Sequence, residues 1–145
     1  MGSGMMRLGE LCREQGVALA YLFGSQRELG LRLLHGEPAG PSEPLADLDL
    51  GVVFEGPLPG PDRRYRLYSE IYNAFTDLFP GQRLDLVFLQ EGHAVFQAQA
   101  VIGPCVFAVN ETYRDDYEHR ILARAADFRP VLDLFYRERL EEVGR

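Results

Sequence analysis

Residues 47–55 have the sequence DLDLGVVFE, in which two aspartates alternate with two leucines before an apolar run. Successive side chains of a β-strand point to opposite faces, so Asp47 and Asp49 share one face of the predicted strand. A second strand is predicted at 83–89, RLDLVFL, where Asp85 stands among apolar neighbours. Aspartate is depleted from strands and is rarely buried without a partner. If the two strands are neighbours, the three carboxylates converge on one patch of the sheet.

A strand, a turn and a helix are predicted upstream of this pattern. Residues 17–23, VALAYLF, form an apolar run of strand length, and Gly24 and Ser25 follow directly, before a helix predicted at 26–34. Glycine lets the backbone approach an anion closely, and the first turn of a helix offers unpaired N–H groups. Gly24 and Ser25 are therefore candidate phosphate-binding residues. The alternative is that Ser25 only caps the helix after a tight turn.

The rest of the chain alternates helices and strands, which favours a single α+β domain. Further helices are predicted at 5–15, 62–78, 93–101, 112–128 and 130–140, and a further strand at 105–109. Asp62 is expected to cap its helix, and Thr112 with Asp115 resembles a capping box. Residues 35–46, HGEPAGPSEPLA, are predicted to be a loop insertion because they carry two glycines and three prolines. Residues 1–4, MGSG, are typical of an expression scar and receive no structural assignment.

Composition and charge exclude several functions. The chain of 145 residues has a net charge of −7, and all 15 of its basic residues are arginine. The absence of lysine excludes a Walker-type phosphate loop and a Schiff-base mechanism. An acidic chain is a poor binder of nucleic acid, because neutralisation of phosphates drives that affinity. We expect a cytoplasmic protein without a membrane segment, since no apolar run has spanning length and neither cysteine has disulfide or zinc spacing.

Three crowded carboxylates repel one another, and a divalent cation removes that conflict. Mg²⁺ prefers oxygen ligands, and two such ions about 3.5–4 Å apart can activate an attacking oxygen and stabilise a leaving one. The alternative interpretation is structural. In that case Asp47 caps a strand, Asp49 faces solvent, and Asp85 pairs with Arg83 or another arginine.

Taken together, these motifs resemble the polymerase-β-like nucleotidyltransferases, and in particular the minimal nucleotidyltransferases of the MntA antitoxin type. The resemblance rests on Gly24 and Ser25, on Asp47 and Asp49 in ADLDLGVVF, and on Asp85 in RLDLVFL. The tail TYRDDYEHRILARAADFRPVLDLFYRERL is similar to the two closing helices of that family, so the predicted domain spans residues 5–141. This chain departs from the family in one respect, because more residues separate Ser25 from Asp47 than is usual. A surface loop can be lengthened at little entropic cost.

The resemblance implies a mixed sheet with helices packed mainly on one face and two C-terminal helices. It also implies ATP with its triphosphate at Gly24 and Ser25, and two Mg²⁺ ions held by Asp47, Asp49 and Asp85. The acceptor it implies is a tyrosine hydroxyl on a HEPN-domain (HepT-like) toxin, which AMP transfer disables. The chain would then be a type VII-like antitoxin and a protein adenylyltransferase, able to form a hetero-oligomer with its toxin.

Two alternative functions follow from the same residues. One is a nucleotidyltransferase that acts on a small hydroxylated molecule such as an aminoglycoside. The other is a non-catalytic antitoxin that neutralises its partner by binding alone, although a pure binder has no need for three concentrated carboxylates.

Overall fold

The computed structural model describes residues 3–38, 46–127 and 137. Its strands form one mixed sheet with the spatial order β3–β2–β1–β4, in which β1 is antiparallel to both β2 and β4, and β2 is parallel to β3. The strands are β1 (Val17–Phe23), β2 (Asp47–Phe54), β3 (Arg83–Phe88) and β4 (Cys105–Ala108).

Helices alternate with these strands along the chain. They are α1 (Ser3–Glu14), α2 (Arg27–Leu34), α3 (Pro61–Thr76), α4 (Ala94–Val101) and α5 (Glu111–Ala126), with a 3₁₀ turn at Leu89–Glu91. The predicted mixed α+β class is confirmed. The helix predicted at 130–140 and most of the predicted insertion at 35–46 lie outside the described residues. Within the described ranges, no helix is both long and apolar enough to cross a bilayer.

One face of the sheet is covered by α1, α2 and α3. Leu22 of β1, Leu50 of β2 and Leu86 of β3 are buried there in one cluster with Phe75 and other side chains of these helices. The alternating leucines of β2 therefore point into the core, as the sequence pattern predicts. Burying each such leucine stabilises the fold by roughly 1.5–3 kcal/mol.

The opposite face of the sheet is covered only in part. There α4 and α5 pack over β1, where Leu19 and Tyr21 are buried with Tyr117 and Ile121 of α5. Helices were predicted to pack mainly on one face of the sheet, and α1, α2 and α3 do so. The helices α4 and α5 cover the β1 end of the other face. The beginning of β2 and the adjacent part of β3 remain accessible there, and this is the face that carries the aspartates.

Two helices are preceded by other residues than the predicted caps. The residue that precedes α3 is Gly60, with Pro61 at the first helical position, so Asp62 lies within the first turn instead of capping it. Proline is favoured at that position because its missing N–H would be unpaired anyway. Asn110 caps α5, and its side-chain oxygen accepts a hydrogen bond from the Tyr113 N–H at 2.7 Å, so Thr112 is not the cap.

The first helix begins earlier than predicted. Ser3 and Gly4, which received no structural assignment, belong to α1. A Cβ atom added at Gly4 would lie 3.0 Å from the Leu34 carbonyl oxygen, so this glycine lets α1 approach the end of α2 closely. The helix is followed by Gly16, whose φ of 73° lies in the left-handed region that glycine adopts readily at helix ends.

Candidate functional site

The parallel pairing of β2 and β3 places Asp49 directly opposite Asp85. Residues opposite each other in a parallel ladder project from the same face of the sheet, here the accessible one. The two carboxyl groups lie close enough for the side chain of Asp85 to raise the pKa of Asp49. The condition that the second and third strands are neighbours is therefore met. We call Asp49 and Asp85 the acid pair.

The surroundings of the acid pair change the protonation of Asp49. Burial raises the pKa of Asp49 to about 7 from its ordinary 3.8, and the hydrogen bond and negative charge of Asp85 act in the same direction. Asp47 adds a further increase through its charge. Two carboxylates this close cannot both be ionised without a cost. In the absence of a cation, Asp49 therefore keeps its proton to a higher pH than an ordinary aspartate does.

The third aspartate has a different partner. Asp47 lies opposite Arg83 in the same ladder, and Arg83 Nε is 3.0 Å from Asp47 Oδ1. Arg83 therefore forms an ion pair with Asp47, whereas the structural alternative paired Asp85 with Arg83 or another arginine. All three carboxylates therefore project from one face of two adjacent strands, as expected if these strands are neighbours, and Asp47 is held there by its ion pair.

Gly24 adjoins the acid pair on the β1 side. Phe23, the last residue of β1, lies opposite Asp49 in the antiparallel ladder, and the chain turns at Gly24 with a φ of 74°. A Cβ atom at this position would overlap the Asp49 carboxylate. Both the backbone conformation and the close approach of the carboxylate therefore require glycine here.

Ser25 does not cap the helix that follows. The residue preceding α2 is Gln26, and no side chain caps the first turn of this helix. Ser25 is exposed, and its hydroxyl accepts a hydrogen bond of 3.4 Å from Gln26 Nε2. The hydroxyl therefore remains on the surface next to Gly24, free of the capping role that the alternative interpretation gave it.

The donor set of the acid pair fits a magnesium ion. Within the described ranges, no group of three or more His, Cys, Asp or Glu side chains is arranged to hold a metal. Mg²⁺ does not need such a group, because it is bound typically by one or two carboxylates together with waters and substrate phosphates. The pKa of Asp49 is raised by burial and then by Asp85 and Asp47, and the positive charge of a bound cation would offset the negative charge of these neighbours.

Three neighbours of the site were not among the predicted site residues. Arg83 is one, and its pairing depends on a strand register that sequence does not give. Tyr68 of α3 is another: it packs against Phe88 on the opposite face of the sheet, and burial and then the negative charge of Asp85 raise the pKa of its hydroxyl. Phe23 is the third, and its ring packs edge-on against Phe96 at 5.8 Å between centroids. The alternation along β1 could have identified Phe23, since it shares a face with Tyr21.

A surface cavity of about 310 Å³ lies away from these residues, between α1 and β4. It is lined by Met5, Met6, Gly9, Glu10, Arg13, Val106 and Phe107. No carboxylate of the acid pair borders it, and α1 lies on the opposite face of the sheet. The size of this cavity therefore says nothing about the chemistry of the aspartates.

Solved structures of the same fold come from toxin–antitoxin complexes. A chain of a toxin–antitoxin complex with AMP-PNP has a TM-score of 0.56 and 17% identity, with 97% of this chain and 98% of that chain covered. A chain of a mutant MntA toxin–antitoxin complex gives a TM-score of 0.56, 16% identity and coverage of 97% and 98%. In the Shewanella oneidensis complex of a tri-AMPylated HEPN toxin with an MNT antitoxin, the corresponding values are 0.53, 16%, 98% and 97%. At these identities the likeness establishes the fold.

A comparison with curated proteins finds no significant match. The sequence model of the polymerase beta nucleotidyltransferase family matches residues 7–112. This range is more than half of the chain, and it includes Gly24, Ser25 and all three aspartates. The acid pair, the turn at Gly24 and the mixed sheet all lie within it. The chain therefore belongs to the polymerase beta nucleotidyltransferase family.

Proposed function

We propose that this protein is a Mg²⁺-dependent adenylyltransferase that transfers AMP from ATP to a tyrosine hydroxyl of a HEPN toxin, and so acts as its antitoxin. The observation that carries the chemical part is the acid pair on the accessible face, one strand away from the turn at Gly24. The family membership supports nucleotidyl transfer. The toxin–antitoxin complexes of the same fold, one of which contains an AMPylated HEPN toxin, support the partner.

Different residues of the chain would bind the cation and the triphosphate in such a transfer. Asp49 and Asp85 would hold the cation, with Asp47 joining them after it leaves Arg83. Mg²⁺ bound there supplies neutralisation of the phosphate charge and orientation of the reacting groups. Gly24 and Ser25 would bind the triphosphate through the backbone and hydroxyl groups next to the start of α2.

The proposed reaction requires one bond to form and one to break. The acceptor oxygen forms a bond with the α-phosphorus of ATP, and the bond to pyrophosphate breaks in line with it. The hydroxyl proton passes to the carboxylate of Asp85, which faces the accessible side of the sheet. Positioning and charge stabilisation account for most of the acceleration in such transfers, so a small site suffices.

A protein acceptor fits the shape of this site. The carboxylates lie on an accessible sheet face, since Asp47 and Asp85 are exposed and Asp49 is half-buried. A tyrosine on the surface of a folded partner can reach such a face, whereas a small molecule gains affinity mainly from an enclosing pocket. This geometry favours the toxin over a small hydroxylated acceptor.

The test is to incubate the protein with ATP, Mg²⁺ and the HEPN protein encoded beside it, and to measure the mass of that partner. We expect a gain of one or more AMP groups on a tyrosine, located by fragmentation, with loss of the partner's ribonuclease activity. The double variant Asp47→Asn with Asp49→Asn should bind the partner without modifying it.

Each other outcome identifies a different function. AMP appearing only on added small hydroxylated compounds would replace the toxin with a small acceptor. Full neutralisation of the partner by the double variant, with no mass change, would show that binding alone is the antitoxin activity.

A further inference from the structure

The ion pair between Asp47 and Arg83 lies beside the acid pair. Asp47 and Arg83 are opposite each other in the parallel ladder, two residues before Asp49 and Asp85 on their strands. Side chains two residues apart on a strand share a face, so all four project from the accessible side of the sheet. These four side chains bring three carboxylates and one guanidinium to this face.

The two members of this ion pair are in direct contact at the surface. Arg83 Nε is 3.0 Å from Asp47 Oδ1, and the side chains are 61% and 48% exposed. A guanidinium stays charged at every physiological pH. Asp47 therefore already has a positively charged partner that belongs to the chain.

Arg83 and a divalent cation compete for the same group. One oxygen of Asp47 is in contact with the guanidinium, and a cation bound at the acid pair would repel that guanidinium at close range. An exposed ion pair changes an equilibrium by about fivefold at most. The contact with Arg83 is therefore weak enough for a divalent cation to displace, but strong enough to raise the concentration of cation that is needed.

We infer that Arg83 sets the divalent-cation requirement of the site by holding Asp47 until the cation displaces it. This inference rests on the proposed function, because it assigns Asp47 to the cation. Arg83 acts through Asp47 and is a positioning residue. Its removal should leave Asp47 free to join Asp49 and Asp85 and should strengthen cation binding.

The test measures binding of Mn²⁺, which accepts the same oxygen ligands as Mg²⁺ and is counted directly by the loss of its free electron paramagnetic resonance signal. We expect Arg83→Gln to bind Mn²⁺ about two- to fivefold more tightly than the native chain, and Arg83→Met to behave alike. The matched control is Arg7→Gln. That variant also removes one positive charge, together with the exposed ion pairs of Arg7 to Glu10 at 3.0 Å and to Glu14 at 4.0 Å, on a helix at the opposite face. It should bind Mn²⁺ like the native chain.

A double-mutant cycle separates this mechanism from a general effect of charge. If Arg83 acts through Asp47, Arg83→Gln should have no effect on Mn²⁺ affinity in an Asp47→Asn background. The inference would be overturned if Arg83→Gln alone bound Mn²⁺ with unchanged or weaker affinity. It would also be overturned if the gain in affinity were equally large in the Asp47→Asn background. Melting temperatures of all variants confirm that they are folded. Because Mn²⁺ binding is measured without toxin or ATP, absence of AMP transfer would contradict the proposed function and leave this result standing.

Discussion

At the scale of single residues, the site depends on a close approach between Gly24 and Asp49. The left-handed turn at Gly24 brings the backbone against the Asp49 carboxylate, where a Cβ atom would overlap it. Sequence predicts that a glycine after a strand and before a helix is a phosphate-binding candidate. It does not reveal that the same glycine makes room for a carboxylate, because that contact joins residues 25 positions apart in the chain.

Replacing Gly24 should affect both stability and activity. In Gly24→Ala we expect a loss of about 1–2 kcal/mol of unfolding free energy from the strained φ, and a further loss as Asp49 is displaced. AMP transfer should fall at the same time. The control is Gly16→Ala, because Gly16 has a φ of 73° and a Cβ there meets nothing within 4 Å. Gly16→Ala should lose only the unfolding free energy that comes from the strained φ, and it should transfer AMP at the native rate. Urea unfolding measures the first effect and a transfer assay measures the second. Equal effects of the two variants would contradict the role of the close contact.

The acid pair predicts a pH dependence of stability in the absence of metal. Asp49 has a pKa of about 7 in the folded chain and an ordinary value of 3.8, so the folded state binds its proton more tightly. The stabilising contribution is complete below about pH 3.8 and is lost as the pH rises through about 7. Between pH 5 and pH 8 in EDTA, the unfolding free energy of the native chain should fall by roughly 1–2 kcal/mol more than that of Asp49→Asn. This value allows for screening of the partly exposed carboxyl group by solvent. The same change of unfolding free energy with pH in both proteins would be inconsistent with the raised pKa of Asp49.

At the scale of helices and strands, the sequence predicts which elements are present better than it predicts where they begin and end or which strands pair. The alternation in β2 and β3 gives both strands and the shared face of their aspartates. The parallel pairing of β3 with β2 places Asp85 opposite Asp49. This pairing follows from tertiary packing, which the local sequence pattern does not encode. Arg83 shows the consequence, because only the register decides whether it meets Asp47 or Asp85.

Helix starts are another limit of sequence, as α5 shows. Thr112 and Asp115 have the spacing of a capping box, but Asn110 directly before the helix takes the role with an extended backbone. We therefore predict that Asn110→Ala loses about 1 kcal/mol of unfolding free energy. Thr112→Ala, its matched control within the first turn, should change stability by less than about 0.5 kcal/mol. Thermal unfolding measures the stability of both variants. A larger loss of stability in Thr112→Ala than in Asn110→Ala would show that Thr112 caps the helix.

At the scale of the whole molecule, the placement of the helices defines where chemistry can occur. Three helices bury one face of the sheet, and α4 and α5 cover the β1 end of the other, so the ends of β2 and β3 that carry the aspartates stay accessible. The hydrophobic pattern predicts the buried face well, since leucines alternate with aspartates in β2. The division of the second face depends on how α4 and α5 pack, and sequence alone did not provide it.

The central claim is that the acid pair performs nucleotidyl transfer, and the most direct measurement is the rate of transfer from α-labelled ATP to the HEPN partner in Asp85→Asn. The account predicts a fall of at least about a hundredfold relative to the native chain, with the fold intact. Asp116→Asn, which removes one exposed carboxylate from α5, should transfer at the native rate. Transfer by Asp85→Asn at the rate of the native chain would contradict the account.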